Sequence, residues 1–143
     1  MRGHAGFTLI ELLVVVGILG IMAATAMPLY HTYQQRAYGS EATLMLKRIL
    51  DAQIMYFLGN EKFFPEAGQT KMVFHDDPPT KPEILEIEKA LKIIIPVGHF
   101  LDYTITNAMG DCIVRIDADF ALFKGGDTYI SAMIDERGNI TPL

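Results

Sequence analysis

The feature that most constrains this chain is an apolar stretch close to its N-terminus. From Phe7 to Met27 there are 21 residues, almost all apolar, and the only charged one is Glu11. An α-helix rises about 1.5 Å per residue, so a helix of this length covers about 30 Å, the thickness of a bilayer's hydrocarbon core. The stretch is therefore predicted to span a membrane, with six residues before it and ordinary soluble sequence after it.

Two simpler interpretations of this stretch explain it less well. The apolar region of a secretory signal peptide is about 7–15 residues long and precedes a small-residue cleavage site, whereas this one is longer and carries a carboxylate. A plain membrane anchor accounts for the length but leaves Glu11 unexplained. Because a charged side chain within a membrane helix costs about 2.5–3.5 kcal/mol on insertion scales, Glu11 indicates a function.

The residues around Glu11 resemble the prepilin signature of type IV pilins and the related pseudopilins. The run Gly6-Phe7-Thr8-Leu9-Ile10-Glu11 combines a glycine, an aromatic residue, a threonine and a glutamate, and an unbroken apolar segment follows. In that family a membrane-embedded peptidase cuts after the glycine and methylates the new amine. The resemblance implies that residues 1–6 are a leader, that the cut falls between Gly6 and Phe7, and that Phe7 becomes N-methylphenylalanine. The leader departs from the family in having one basic residue, Arg2.

The same resemblance supplies a partner for Glu11. Cleavage would expose an α-amine at Phe7, which is largely cationic at neutral pH. In surroundings of low dielectric, opposite charges favour each other's ionised forms and repay part of the cost of desolvation. The resemblance implies that Glu11 pairs with the Phe7 amine of a neighbouring subunit during assembly. The alternative is that Glu11 is a carboxylate that snorkels at the end of the helix.

The helix is predicted to continue beyond the membrane. Pro28 lacks an N–H and should kink or locally open the helix, and the resemblance implies that the segment from about Gly20 to Pro28 unwinds in a filament. Apolar residues then recur at three- and four-residue spacing up to about Leu58, with charged residues mostly on the other face. A helix from Phe7 to Leu58 would be about 78 Å long. Its first half must therefore be buried in lipid or against other copies of the chain.

The remainder is predicted to form a small α+β head. Residues 59–82 are rich in loop-forming residues, and Thr80-Lys81-Pro82-Glu83 suggests a capping box that opens a short helix over 83–94. A strand is the alternative for the isoleucines at 93–95. Period-two alternation predicts strands over 103–108, 112–120 and 128–134, and a short last strand at 140–141.

These elements give the predicted organisation of the whole chain. The fold class is α+β, a pilin fold in which a long N-terminal helix packs on a small antiparallel sheet. Its parts are the leader (1–6), the apolar membrane and assembly helix (7–28), the amphipathic half of the helix (29–58) and the globular head (59–143).

Several residues of the head are candidates for particular roles. The lone Cys112 falls on the inward face of its strand and is predicted to be a small buried hydrophobe. Asp117 and Asp119 share the outward face and Asp127 could approach them, which makes them weak calcium candidates against the alternative of solvated carboxylates. The segment His75-Asp76-Asp77 is interpreted as a solvated turn rather than a metal site.

The aromatic residues near the long helix form a further group. They are predicted to pack and to lie in an interfacial belt near the membrane surface. A conduction role, as proposed for short pilins of metal-reducing bacteria, is the alternative. The residues are Tyr30, Tyr33, Tyr38, Tyr56, Phe57, Phe63 and Phe64.

Composition narrows the function classes. A net charge of −5 and the lack of a basic run argue against nucleic acid as the main partner. The sequence contains no nucleophile elbow, no metal-ligand pair at helical spacing and no phosphate loop, so it does not suggest an enzyme. No cofactor is expected. A filament subunit explains the cut site, Glu11 and the overlong helix together, whereas a membrane-anchored periplasmic binding module explains only the anchor and the head.

The resemblance also implies partners and a location. The expected partners are further copies in a homo-oligomeric filament, the prepilin peptidase and methyltransferase, the membrane, and the pilus assembly machinery of the inner membrane. The subunit is expected to cross the inner membrane once, with a periplasmic head, and then to join an extracellular pilus. A pseudopilin of a type II secretion system, in a periplasmic pseudopilus, is the alternative.

Overall fold

The structure is a computed structural model that describes residues 7–98 and 100–143. Its elements in chain order are α1 (Leu9–Asn60), β1 (Thr70–Val73), α2 (Pro82–Leu91), β2 (Asp102–Ala108), β3 (Asp111–Asp117), β4 (Tyr129–Ile134) and β5 (Ile140–Pro142). The chain forms two compact units, one ending at Gln34 and the other covering Gln35–Leu143.

The five strands form one antiparallel sheet with the spatial order β1-β2-β3-β4-β5. Alternate residues of the central strands are buried, as the period-two pattern predicts. Together with the buried face of α1 after Gly39 and with Ile84, Ile87 and Leu91 of α2, they form a single hydrophobic core. The predicted α+β fold, a long helix packed on a small antiparallel sheet, is confirmed.

Buried amide side chains fix the chain where it leaves α1. Gln53, which is fully buried, donates from Nε2 to the carbonyl of Phe64 at 2.6 Å and accepts from the Phe64 N–H at 3.0 Å. From the sheet, Asn107 Nδ2 donates to the carbonyls of Phe63 and Pro65 at 3.1 and 2.8 Å. Because buried backbone groups are costly to leave unpaired, these bonds hold the loop against the core.

The backbone of α1 at Gly39 lies very close to the backbone of a loop of the head. Gly39 on α1 is buried, and a Cβ at this position would overlap the backbone carbonyl of Leu122. Leu122 lies in the loop after β3, and its N–H donates to the carbonyl of Asp127 at 2.8 Å, which closes this loop. Glycine therefore lets this loop lie directly on the helix.

Several element boundaries differ from the predictions. The helix α1 extends to Asn60 rather than Leu58, and β1 lies in a stretch predicted to be loop. The helix α2 ends at Leu91, before the predicted residue 94, because Lys92 adopts a left-handed conformation with φ of 55°. The strand β3 ends at Asp117 rather than at residue 120. The N–H of Ala118 still bonds to the carbonyl of Thr128, in register with the last β3–β4 pair, and the chain then turns into the loop that carries Leu122.

The predicted capping box of α2 is wrong. Lys81, not Thr80, occupies the N-cap position, and no side-chain hydrogen bond caps this helix. Lys81 instead pairs through Nζ with Asp77 Oδ2 at 2.7 Å. Proline does lie in the first turn, where its missing N–H costs nothing.

Candidate assembly and processing site

The helix α1 begins with reciprocal hydrogen bonds between Thr8 and Glu11. The backbone N–H and the hydroxyl of Thr8 both donate to Glu11 Oε2, at 2.8 and 2.7 Å. The backbone N–H of Glu11 donates in return to Thr8 Oγ1, at 3.3 Å. This is a capping box, which satisfies N–H groups that the first turn of a helix leaves without intrahelical partners.

The capping box gives Glu11 a partner within its own chain. The sequence-based prediction names only a partner in a neighbouring subunit and assigns Thr8 no role of its own. The signal was present, since a threonine followed three residues later by a glutamate, just before an apolar run, is typical of a capped helix start. Thr8 is therefore the residue at this site that sequence reasoning missed.

The surroundings of Glu11 are apolar and uncovered. Phe7, Ile10, Val14 and Val15 line a shallow groove together with Glu11. Every residue over 7–33 is exposed, and Phe7 has 80% of its surface accessible. Among the described residues, α1 is the one helix that is long and apolar enough to cross a membrane, with a mean hydropathy of 2.4 in its most apolar window.

This arrangement can hold one negative charge in an apolar environment. Both hydrogen bonds from Thr8 reach the same carboxylate oxygen, Oε2. A carboxylate in lipid or in a helix bundle is costly unless a cation or further donors reach it. The geometry therefore suits recognition of a cationic group presented from outside the chain.

The predicted processing site is only partly described. Gly6 and the rest of the leader lie outside the described residues, and Phe7 lies just before the first residue of α1. Cleavage between Gly6 and Phe7, and methylation of Phe7, remain predictions.

The helix α1 continues through Pro28 without a break. The carbonyl of Pro28 accepts a hydrogen bond from the Thr32 hydroxyl at 3.0 Å. A side chain bonded to the preceding turn in this way is one device that accompanies helix bending. The kink predicted at Pro28 stays a prediction.

The three calcium candidates lie at the end of β3 and in the loop that follows it. Asp117 is bonded by the guanidinium of Arg115, with contacts of 2.6–2.9 Å. Asp119 and Asp127 lie in the loop after β3. Within residues 7–98 and 100–143, no three or more histidine, cysteine or acidic side chains are grouped so that they could hold a metal ion.

His75 and Asp77 make structural contacts in the turn after β1. The backbone N–H of His75 donates to Asp102 Oδ1 at 2.7 Å, and His75 Nδ1 lies 2.8 Å from the same oxygen. The hydrogen bond to Asp102 raises the pKa of His75. The bond from Lys81 and the bond from the Phe74 N–H lower the pKa of Asp77.

Cys112 is fully buried, as predicted, and burial raises the pKa of its thiol to about 12. A thiol of this kind is unreactive at neutral pH.

The aromatic residues divide between the two units. Tyr30 and Tyr33 are exposed on the first part of α1. In the head, Tyr38, Phe100 and Phe120 meet edge to face, with ring centroids 5.4–6.1 Å apart. Further ring contacts join Tyr56 to Phe64 and Phe57 to Phe63. Packing, as predicted, is therefore the role of the aromatic residues in the head.

Comparisons with known proteins point to one family. The model of the prokaryotic N-terminal methylation motif matches residues 1–27. The type IV major pilin protein PilA of Myxococcus xanthus is 33% identical over 128 residues, which are 90% of this chain and 49% of that protein. The chain is similar to type IV major pilins.

Further pilins match over shorter parts of the chain. The type IV major pilin protein PilE1 of Neisseria gonorrhoeae is 47% identical over 58 residues, 41% of this chain and 35% of that pilin. A fimbrial protein of Moraxella nonliquefaciens is 55% identical over 42 residues, 29% of this chain and 27% of that protein. The chain thus spans about half or less of the length of these relatives. No solved structure matches. The resemblance predicted from Gly6 to Glu11 is confirmed for type IV pilins.

Proposed function

We propose that this chain is a structural subunit of a type IV pilus and polymerises through the N-terminal part of α1. The observation that carries the proposal is the exposed apolar surface of that part, which holds a single charge, Glu11, in a chain similar to type IV major pilins. Full burial of a valine, leucine or isoleucine side chain contributes about 1.5–3 kcal/mol relative to exposure in water. The many exposed side chains of this kind on α1 therefore strongly favour association with lipid or with other helices.

Processing and assembly follow from the same residues. A prepilin peptidase cuts between Gly6 and Phe7 and methylates the new amine, and Glu11 then pairs with the Phe7 amine of a neighbouring subunit. Gly17, Gly20 and the alanines near them are small residues that let helices approach closely. With residues 1–6 removed, residues 7–28 act as the membrane and assembly helix, with the kink at Pro28. Residues 29–60 form the rest of the helix, and residues 61–143 form the rest of the head.

The proposed route runs from the inner membrane to the cell surface. Before assembly the subunit crosses the inner membrane once with its head in the periplasm, and the pilus machinery then extracts it into the filament. The relatives are named as type IV major pilins or fimbrial proteins, which favours a pilus subunit over a pseudopilin of a type II secretion system or an anchored binding module. The proposed function is structural and assigns no catalytic residue.

Immunogold electron microscopy of whole cells tests this function. Antibodies raised against the head should label surface filaments along their length. Those filaments should be absent when the gene is deleted and return on complementation. Surface filaments that persist without label in the deletion strain, or a labelled protein found only in the membrane, would contradict the proposal.

A further inference from the structure

The head has a cleft at the end where α1 stops. Its lining comes from the last turns of α1, the loop that follows, the turn between β2 and β3, and the turn between β4 and β5. Its volume is about 370 Å³, which is in the range of sites that take small organic molecules. The cleft is separate from the Thr8–Glu11 site and belongs wholly to the unit that covers Gln35–Leu143.

Aromatic and thioether side chains give the cleft an apolar lining. Phe57 and Phe63 both line it and lie beside each other, with ring centroids 4.7 Å apart. Met109, in the β2–β3 turn, also lines the cleft and is 90% exposed. Methionine adapts its shape to a ligand, and the face of an aromatic ring attracts a cation within about 6 Å. The lining therefore suits a ligand that has an apolar part and a positive charge.

Two carboxylates of the cleft have no partner within residues 7–98 and 100–143. Neither the Glu61 nor the Glu136 side chain makes a hydrogen bond or an ion pair in this part of the chain. By contrast, Glu66 also lines the cleft but is paired with Lys62 at 2.7 Å. The charged side chains that line the cleft thus carry an excess of two negative charges, and these are available to a cation from outside.

Glycine at position 110 leaves room for one of these carboxylates. A Cβ at Gly110 would lie 2.9 Å from Glu136 Oε1, which is closer than Cβ atoms approach other atoms in proteins. The φ of Gly110 is +121°, a conformation that residues with a side chain rarely adopt. The Glu136 side chain therefore lies against the β2–β3 turn, where its carboxylate faces a residue of the cleft.

We propose that this cleft binds a small alkylammonium ion, with its apolar part against Phe57, Phe63 and Met109 and its charge beside Glu61 and Glu136. This class of ligand uses both parts of the lining, whereas an anion would be repelled and a neutral molecule would leave the carboxylates without a partner.

A metal ion fits the cleft less well than an organic cation. Calcium takes six to eight oxygen ligands, and the described residues contain no group of three or more histidine, cysteine or acidic side chains that could hold a metal ion. The rings of Phe57 and Phe63 and the thioether of Met109 would also be left without a partner, since a hydrated metal ion has no apolar part. The alkylammonium site does not depend on the proposed pilus function.

Nuclear magnetic resonance of the full chain in a non-ionic detergent, with labelled methionine methyl groups, tests the proposal. Choline is the probe, and its control is dimethylbutanol, the uncharged isostere in which carbon replaces the nitrogen. Choline should shift the Met109 methyl signal, which Met109→Leu identifies by its loss, and the shift should saturate with a Kd on the order of 1 mM. Dimethylbutanol should bind at least about tenfold more weakly, because it lacks the charge that the rings and carboxylates attract.

Two variants remove the charges without changing the size of the side chains. Glu61→Gln and Glu136→Gln should each weaken choline binding by about threefold or more and should leave the binding of dimethylbutanol unchanged. Asp51→Asn removes an exposed carboxylate of α1 outside the cleft, and this matched control should bind choline like the wild type. An unchanged methyl signal of the buried Met45 shows that the head of each variant is folded.

Three results would overturn the proposal. They are a Met109 signal that does not respond to choline, equal binding of choline and dimethylbutanol, and choline binding at the wild-type level by both glutamine variants. Filament formation plays no part in this measurement, so a failure of the chain to form filaments would contradict the proposed function alone.

Discussion

Thr8 and Glu11 bond each other across the first turn of α1, with the Thr8 N–H and hydroxyl both donating to Glu11 Oε2. Glu11 therefore has a role in its own chain, as a cap, beside the proposed role in assembly, as the partner of a neighbour's amine. The two roles need different chemistry. A cap needs only an acceptor, whereas pairing with a cationic amine needs the negative charge.

Glu11→Gln separates these roles, because a glutamine oxygen can still accept from Thr8 while the charge is lost. Membrane insertion should be unchanged in cell fractionation. Filament yield, counted by electron microscopy, should fall at least about 100-fold, since loss of one partner of a buried ion pair costs about 3–5 kcal/mol. Thr8→Val is the complementary variant: it loses the hydroxyl and about 1 kcal/mol of capping but keeps the charge, and it should still assemble. Wild-type filament yield from Glu11→Gln would show that capping alone suffices.

Gly39→Ala should destabilise the head by about 1–3 kcal/mol, because the new methyl group overlaps the Leu122 carbonyl and forces the backbone to shift. Gly59→Ala is the matched control: it lies on the same helix with open space around it, so it should be neutral or stabilise by up to about 1 kcal/mol. Denaturant unfolding of the full chain in detergent measures both. Equal stability of the two variants would contradict the close packing of the loop on α1.

His75 should make the stability of the head depend on pH. Its pKa is raised, chiefly by the hydrogen bond to Asp102 and to a lesser extent by the charges of Asp102, Asp76 and Asp119. The contribution of the His75–Asp102 pair to the stability of the folded head is therefore fully present below the unfolded-state pKa of about 6.5. It is lost as the pH rises through the raised pKa of His75 in the folded state.

The control for this effect is His75→Gln, which cannot titrate. The difference in unfolding midpoint between wild type and His75→Gln should be largest near about pH 5.5 and should shrink by about pH 9. A difference that is constant over this range, or one that grows with pH, would contradict the assigned role of the His75–Asp102 pair.

The features predicted well from sequence are those with a long or regular local pattern. The apolar stretch after Phe7, the amphipathic continuation of α1 and the alternation over Cys112–Asp117 are all set by residues close together in the chain, so periodicity reveals them. The buried position of Cys112 follows from the same alternation.

The features that were missed depend on contacts between distant residues or on single backbone conformations. The strand β1 is four residues long and is defined by pairing with β2, as in Thr70 opposite Thr106. The end of α2 depends on the left-handed conformation of Lys92, and β3 ends where the chain turns into a loop closed by the bond from Leu122 to Asp127. At the site, the capping role of Thr8 was readable from sequence, and so was the closeness of Arg115 to Asp117, because residues two apart on a strand share a face.

The most direct test of the account is the intact mass and N-terminal sequence of the subunit purified from filaments. The account predicts a chain that is six residues shorter than the encoded one, starts at Phe7 and carries one methyl group on its terminal amine. A chain in the filaments that still starts at Met1, or one that starts at any residue other than Phe7, would contradict it.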